Sequence, residues 1–249
     1  MSALTIVQLY PDEMGVAGDA GNVLALSTRA RRSGHATEVV RHEVGQELPA
    51  NADIVVIGGG PMSAMRRIHA DLMANAQTLK LWADSGVSFF AYGAGAELLS
   101  HGVTAGEAEL SGVGVFPFRA ERTGERVVGY LIVDSVDGPV VGFADHASRW
   151  LRNDSAESFG VVSAGVVPAG QAEGVIIGSA IATLIGGPVL PLNPDVTDAI
   201  LSRALARRGE TYSAGAGQEG LEEHRALDHY ASEARAVIRR NAEHHFKRI

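Results

Sequence analysis

The sequence predicts an α/β fold: a parallel sheet with helices on both faces, plus a central antiparallel meander and a C-terminal helix. Three observations predict it. Apolar runs without alternation, each followed by a segment of helical spacing, mark strands buried on both faces. A middle stretch rich in turn residues breaks that rhythm into short runs. A Gly/Ala/Ser-rich piece at 213–217 then sets off a last helical stripe.

The elements follow in order. "LTIVQLY" (4–10) is the first strand. Residues 21–33 form a helix, with Asn22 near its start and Gly34 as its stop. "ATEVVRH" is the second strand, and "ADIVVIGGG" (52–60) a third that ends in three glycines. Helical spacing runs through 63–85 by way of Met65, Ile68, Leu72, Leu79, Leu81 and Trp82. "VSFFAYG" is the next strand and "AELLSHG" the helix after it. "GVGVFPFRAE", "ERVVGYLIVDS" and "GPVVGFADH" read as a meander of mostly antiparallel strands. "SFGVVSAGVV" and "EGVIIGSAIATLIG" add two strands. "NPDVTDAILSRALARR" is a helix with Pro194 in its first turn, and a final helix spans about 219–245. Residues 1–208 are expected to form one domain. Residues 209–249 are expected to be a linker and a helix packed on that domain or on a partner, with Leu221, Leu227, Ala231, Ala234 and Ile238 near one face.

Composition narrows the function. Of 249 residues, 46% are hydrophobic and 20% charged, enough apolar material for a full core. The formal net charge of −8 argues against nucleic-acid binding, which needs basic surface. No apolar run reaches membrane-spanning length, and the first residues lack the basic flank and cleavage site of a signal peptide. The cytoplasm is the expected compartment. There are no cysteines, which removes disulfides, thiolate metal sites and cysteine nucleophiles together.

Two loops fall where open parallel sheets bind ligands, beyond the carboxyl ends of the strands. One is Gly58-Gly59-Gly60. The other is "FFAYGAGAELL" (89–99), a sharp strand-to-helix elbow whose tip offers Gly93 and Ala94. Neither carries bulky side chains, so backbone N–H groups could face an anion or a developing oxyanion. The triple glycine also reads as a tight strand exit. The elbow also reads as a partial G-x-G-x-x-G with Leu98 in the third place, but no acidic residue is cleanly placed to hold a ribose. Arg126 and His146 would not be singled out by pattern alone. No metal-ligand spacing occurs, and the adjacent His244 and His245 point in different directions on a helix. No G-x-S-x-G occurs either.

Together these pieces resemble the cobyric-acid-synthase-like class I glutamine amidotransferases, and among them the glutaminase subunits of lipid II isoglutaminyl synthases. The likeness runs from about residue 5 to 207. It rests on "QLYPDEMGVAGDAGNVLAL", which places Asp12, Asp19, Gly21 and Asn22 in matching positions. It rests further on "IVVIGGG", "ERVVGYLIVD", "VVGFADH" and "GGPVLPLNPDVTDAIL". The resemblance implies a flavodoxin-like class I glutamine amidotransferase fold. The departures fall at the chemistry. Where the family carries Cys-Gly-Gly-Tyr-Gln, this chain has Gly93, Ala94, Gly95, Ala96 and Glu97. Where the family's histidine precedes Gly-Pro, it has Gly186. The family's Glu-Asn-His becomes Ala144, Asp145 and His146, while Arg126, at a position that helps hold glutamine, is kept.

A glutaminase needs a thiolate to attack the amide and a histidine to move protons. Glycine at both positions can supply neither, so the sequence predicts no glutaminase activity, no cofactor and no metal. The resemblance implies a catalytically degenerate glutaminase-like subunit beside a Mur-ligase-like, ATP-dependent partner. The other expectation is a repurposed small-molecule-binding protein or enzyme that works without a cysteine nucleophile. In it, glycine substitutions enlarge a pocket between Gly59, Gly93 and Gly186, lined by Gly60, Tyr92, Ala94, Glu97, Arg126 and His146. Such a pocket would take an amino-acid-like small molecule.

Overall fold

A computed structural model of the chain describes residues 2–153, 156–216 and 218–242, without the side chains of 218 and 219. The elements are β1 (Leu4–Leu9), α1 (Ala20–Arg32), β2 (Thr37–His42), β3 (Ile54–Ile57), α2 (Met62–Ala74), α3 (Ala76–Asp84), β4 (Ser88–Tyr92) and α4 (Gly93–Leu99). Then come β5 (Gly102–Ala105), β6 (Ala108–Ser111), β7 (Phe118–Ser135), β8 (Gly138–Arg152), β9 (Gly160–Gly165) and β10 (Ala172–Glu173). The last are β11 (Val175–Ile177), β12 (Ala180–Thr183), β13 (Ile185–Gly186), α5 (Val189–Leu192), α6 (Pro194–Arg207) and α7 (Gln218–Asn241).

One sheet runs β11-β12-β4-β3-β1-β2 and is parallel except for β11 at its edge. Its inner strands β1, β3, β4 and β12 are apolar on both faces because both faces are covered, while the edge strand β2 is largely polar and exposed. Val7, Leu9, Val55, Ile57, Phe89 and Ala91 point toward Met65, Ile68 and Leu72 of α2, Leu79 and Trp82 of α3, and Leu98 of α4. Leu4, Ile6, Ile54, Val56, Phe90 and Ile181 point the other way, toward Val23 and Leu26 of α1 and Ile200, Leu201 and Leu205 of α6. The second sheet is the meander, built on β7, which pairs with β8, β9 and β5. Asn193 ties it to the helical layer. Its amide accepts the Val141 N–H at 2.8 Å and donates to the Val141 carbonyl at 2.9 Å.

Five details depart from the sequence expectations. The one strand expected in "EGVIIGSAIATLIG" is broken into β11, β12 and β13, with β11 and β12 paired antiparallel as a hairpin. The single helix over 63–85 is two helices, because the Asn75 side chain donates to the Asp71 carbonyl at 2.9 Å and ends the first. The elbow helix starts at Gly93 rather than Ala96. The two first meander strands are one, β7, with a register shift between Arg122 and Val127. A hairpin of β5 and β6 fills 102–111, where the expected pattern had none.

The last helix lies against α1, α5, β7 and β8 of its own chain; the expected stretch 243–245 and the pair His244 and His245 lie outside the described residues. Arg29 of α1 holds it in place. Its side chain is 5% exposed and donates to both Asp198 carboxylate oxygens and to Asp228 of α7, all at 2.6 Å. Burial disfavours the charged guanidinium, but the two carboxylates outweigh it and raise its pKa. Tyr212 donates to Asp198 at 2.6 Å and completes the cluster. Replacing Arg29 with Met strands the Asp198 carboxylate and is expected to cost about 3 kcal/mol in urea unfolding. Asp228→Asn leaves Arg29 its Asp198 fork and is expected to cost less than about 1 kcal/mol.

Candidate functional site

The site forms where β3 and β4, neighbours in the sheet, deliver their carboxyl ends side by side. At the end of β4 the chain turns directly into α4. Gly93 takes φ +49°, the left-handed conformation that an elbow tip requires and that costs a non-glycine residue strain. A β-carbon built on Gly93 meets no atom within 4 Å, so the tip faces open space. The elbow is braced from behind, where the Gly95 N–H donates to the Gly58 carbonyl at 3.1 Å. Ala94 turns its methyl into the core beneath the sheet.

The three glycines after β3 are required by close approach. A β-carbon on Gly58 would run into the Asp19 carboxylate, and one on Gly60 would lie 2.8 Å from Met14 Sδ. One on Gly59 would lie 2.6 Å from Tyr92 Cε1. Tyr92, the last residue of β4, reaches across to Gly186 of β13 as well. A β-carbon there would sit 2.6 Å from Tyr92 Cζ and closer still to its hydroxyl oxygen. The phenol ring is thus wedged between Gly59 and Gly186. This corrects the expectation of an enlarged pocket between those glycines: the volume they release holds the Tyr92 ring.

The backbone donors are also partly engaged. Asp19 stands at the N-cap position of α1 yet makes no side-chain cap bond to that helix. Its Oδ2 instead accepts the Gly59 N–H at 3.2 Å, and its Oδ1 has no hydrogen-bond partner among the described residues. Burial raises the Asp19 carboxyl to about 6 against the pull of that N–H. The donor expected to face an oxyanion therefore already faces a carboxylate.

The charged residues pair among themselves. Glu97, 1% exposed in α4, accepts from Arg122 Nε at 2.9 Å and Nη2 at 2.8 Å. No bound amine is needed to balance it. Arg126 and Asp145, across the β7–β8 ladder, are joined by a 2.7 Å bond from Nε to Oδ1. That bond raises the Arg126 pKa. The guanidinium expected to hold a ligand carboxylate already holds Asp145. His146, paired with Val127 in the ladder, accepts the Ser148 N–H at Nδ1, 3.4 Å away. Burial lowers its pKa, so the imidazole is neutral near pH 7. Tyr92 is pushed up to about 12, first by burial and then by the nearby charges of Asp19 and Asp145. It stays protonated and is no nucleophile.

The structure thus brings Tyr92, Gly59 and Gly186 into direct contact, with Asp19, Arg126 and Asp145 in electrostatic reach. Gly60 and Ala94 face packed neighbours instead. Sequence reasoning left Arg122 out of the site. Its signal was available only as an unpaired arginine opposite a buried glutamate 25 positions away.

The CobB/CobQ-like glutamine amidotransferase domain matches residues 5–192. The chain is 27% identical over 212 residues to the lipid II isoglutaminyl synthase (glutamine-hydrolyzing) subunit GatD of Staphylococcus aureus, covering 84% of this chain and 87% of that protein. Among solved structures, a glutamine amidotransferase superposes with a TM-score of 0.57 at 18% identity, covering 80% of this chain and 98% of the other. A second, from Thermotoga maritima, gives 0.53 at 14% identity, covering 96% and 94%. At those identities the superpositions speak for the fold alone, and they match the parallel sheet with helices on both faces.

Two outcomes are expected. Gly186→Ala should lose about 1–3 kcal/mol by overpacking against the phenol, and the loss should shrink in a Tyr92→Ala background, measured by a double-mutant cycle. Asp19→Asn should stabilise the fold in a pH-dependent way. Folded Asp19 keeps its proton to about pH 6 against an ordinary value of 3.8, so in that window the folded chain binds more protons and rising pH favours unfolding. The advantage of the Asn variant should therefore grow by about 1–3 kcal/mol between pH 4 and pH 7, followed by chemical denaturation across that range.

Proposed function

Because the chain belongs to the CobB/CobQ-like glutamine amidotransferase family and has glycine where the nucleophile should stand, we propose that it is a catalytically degenerate glutaminase-like subunit. Its partner is a Mur-ligase-like enzyme that uses ATP to activate a carboxylate for amide formation on a cell-wall precursor or a related compound. The complex is cytoplasmic, and its nitrogen comes from free ammonia or another amine. The likeness to a subunit of lipid II isoglutaminyl synthase supports the cell-wall side of this reading.

The observation that carries it is the state of the elbow. Glutaminase chemistry needs a thiolate to form a glutamyl thioester, and a base that gives its proton to the departing ammonia. Here the elbow keeps its left-handed tip at φ +49° but presents no side chain. The position of the base lies against the Tyr92 ring, where even a methyl group would collide. The chain contains no cysteine that could act from elsewhere. What is left is a scaffold whose surface can still shape and stabilise a ligase.

The test is to purify the tagged chain from its own organism and assay what accompanies it. A stoichiometric Mur-ligase-like protein whose amidation runs on ammonium and ignores glutamine is the expected result. Glutamine hydrolysis by the pure chain, or a chain that comes out alone, would overturn it. Gly93→Cys is expected to fit without a clash, because a β-carbon there meets no atom within 4 Å. Ammonia release from glutamine should stay at background, because no base stands beside it.

A further inference from the structure

Helix α7 is docked by polar contacts more than by apolar burial. Its stripe of Leu227, Ala231 and Ala234 stands across a cleft of about 700 Å³ from Leu24 of α1 and from Pro188 and Leu190 of the segment after Gly186. Leu227 and Ala234 stay exposed in that position. Among the described side chains of α7, only His224 and Ala231 are buried. Little apolar surface is removed from water, so the hydrophobic contribution to docking is small.

The two ends of the helix are held by different forces. In its first half, Asp228 accepts from Arg29 at 2.6 Å and Glu223 pairs with Arg32. Both contacts can break without stranding a buried charge. Arg29 also donates to both oxygens of Asp198, so the departure of Asp228 leaves a balanced pair behind. Asp228 and Glu223 are 43% and 55% exposed, and they return to water at small cost. Toward the other end, Arg235 donates to the Leu192 carbonyl at 2.8 Å. There Ile238 and Ala242 close on Ile132 and Val141 of the meander. From Glu223 to Ile238 the helix runs about 22 Å at about 1.5 Å per residue, long enough to act as a lever.

We propose that α7 is a releasable strap: its first half lifts from α1 when the Asp228 and Glu223 contacts are lost, pivoting on the Ile238–Ala242 end, while both sheets stay folded. Closed, the strap stands over the apolar face of Leu24, Pro188 and Leu190. Open, it yields that face. The device is separate from the vacant elbow and does not depend on the subunit reading.

The full chain has no cysteine, so an introduced thiol reports one position. Three single variants, Ala231→Cys, Ala242→Cys and Ala64→Cys, place it under the strap, at the pivot and beneath the parallel sheet, where the native side chains are 6%, 4% and 1% exposed. Their reaction with dithionitrobenzoate is followed under native conditions. The thiol at 231 should react at least about tenfold faster than the other two, because local opening exposes it and only it. Adding Asp228→Asn with Glu223→Gln should speed it about tenfold more and leave the other two unchanged. Equal rates at 231 and 64, or a rate at 231 that ignores the paired substitutions, would overturn the strap, because α7 would then open only with the whole fold. Joint release of the thiols at 231 and 242 would overturn the pivot. Amide hydrogen exchange on the cysteine-free chain is the second measurement, should a thiol disturb packing. Residues 221–231 should exchange at least about tenfold faster than β3 and β4; exchange at the rate of those strands would count against the strap.

Discussion

The Tyr92 ring fixes what this site can be. It leaves the end of β4 and lies between two backbones that can approach it only because neither has a β-carbon. Gly59 and Gly186 belong to different layers, one to the parallel sheet and one to the meander, and the ring is the contact through which they meet. A methyl group at either position would demand movement of a ring that has sheet on one side and meander on the other. Gly186 therefore has no room for a larger side chain where the Tyr92 ring lies. Gly93 is different: a β-carbon there meets no atom within 4 Å, and the residue keeps the left-handed elbow geometry.

Electrostatics reinforces this. A working oxyanion site keeps its donors free until charge develops on the substrate. Here three of the candidate donors are already engaged in the resting protein. The Gly59 N–H is given to Asp19, the Arg126 guanidinium to Asp145, and Arg122 to Glu97. Each carboxylate comes from this chain, so no ligand is needed to balance the site. The exception is Asp19, held above its ordinary carboxylate pKa by burial that the nearby backbone N–H groups, Gly59 first, do not offset. A cap residue turned away from its helix toward a loop is a costly arrangement. The simplest reason for keeping it is that the Asp19 carboxylate fills the space Gly58 leaves and fixes the entry to α1 against the sheet.

How much of this was legible in the sequence follows from what a one-dimensional pattern can hold. The strands could be read because burial on both faces demands unbroken apolar runs, as in "IVVI" and "SFFAY". The elbow could be read because small residues and a helix start follow such a run at once. The absent nucleophile needed only a cysteine count. Volume could not be read. A row of glycines says that something comes close, but not what, and the pocket expected at Gly59 and Gly186 was the inverse of the ring that fills it. Long-range pairs were equally hidden: Glu97 and Arg122 meet because α4 and the β7 bulge are brought together by the fold, and no spacing rule links positions 25 apart. The broken helix at Asn75 turned on one side-chain amide competing for a carbonyl.

The segment from Gly186 to Leu192 joins the two unusual parts of the molecule. One side of it, at Gly186, rests on Tyr92. Its other side, through Pro188 and Leu190, walls the cleft under α7. Pro188 also seats the start of α1, where a β-carbon on Gly21 would come within 2.8 Å of it. The segment is held by packing and by hydrogen bonds: a glycine against a phenol, a proline against a helix start, a buried Asn22 amide that accepts the Leu190 N–H at 2.9 Å, and a Thr197 hydroxyl that donates to the Leu190 carbonyl at 2.7 Å. What these contacts fix together is the shape of the wall the segment gives to the cleft, with Gly186 pinned at one end and Leu190 at the other.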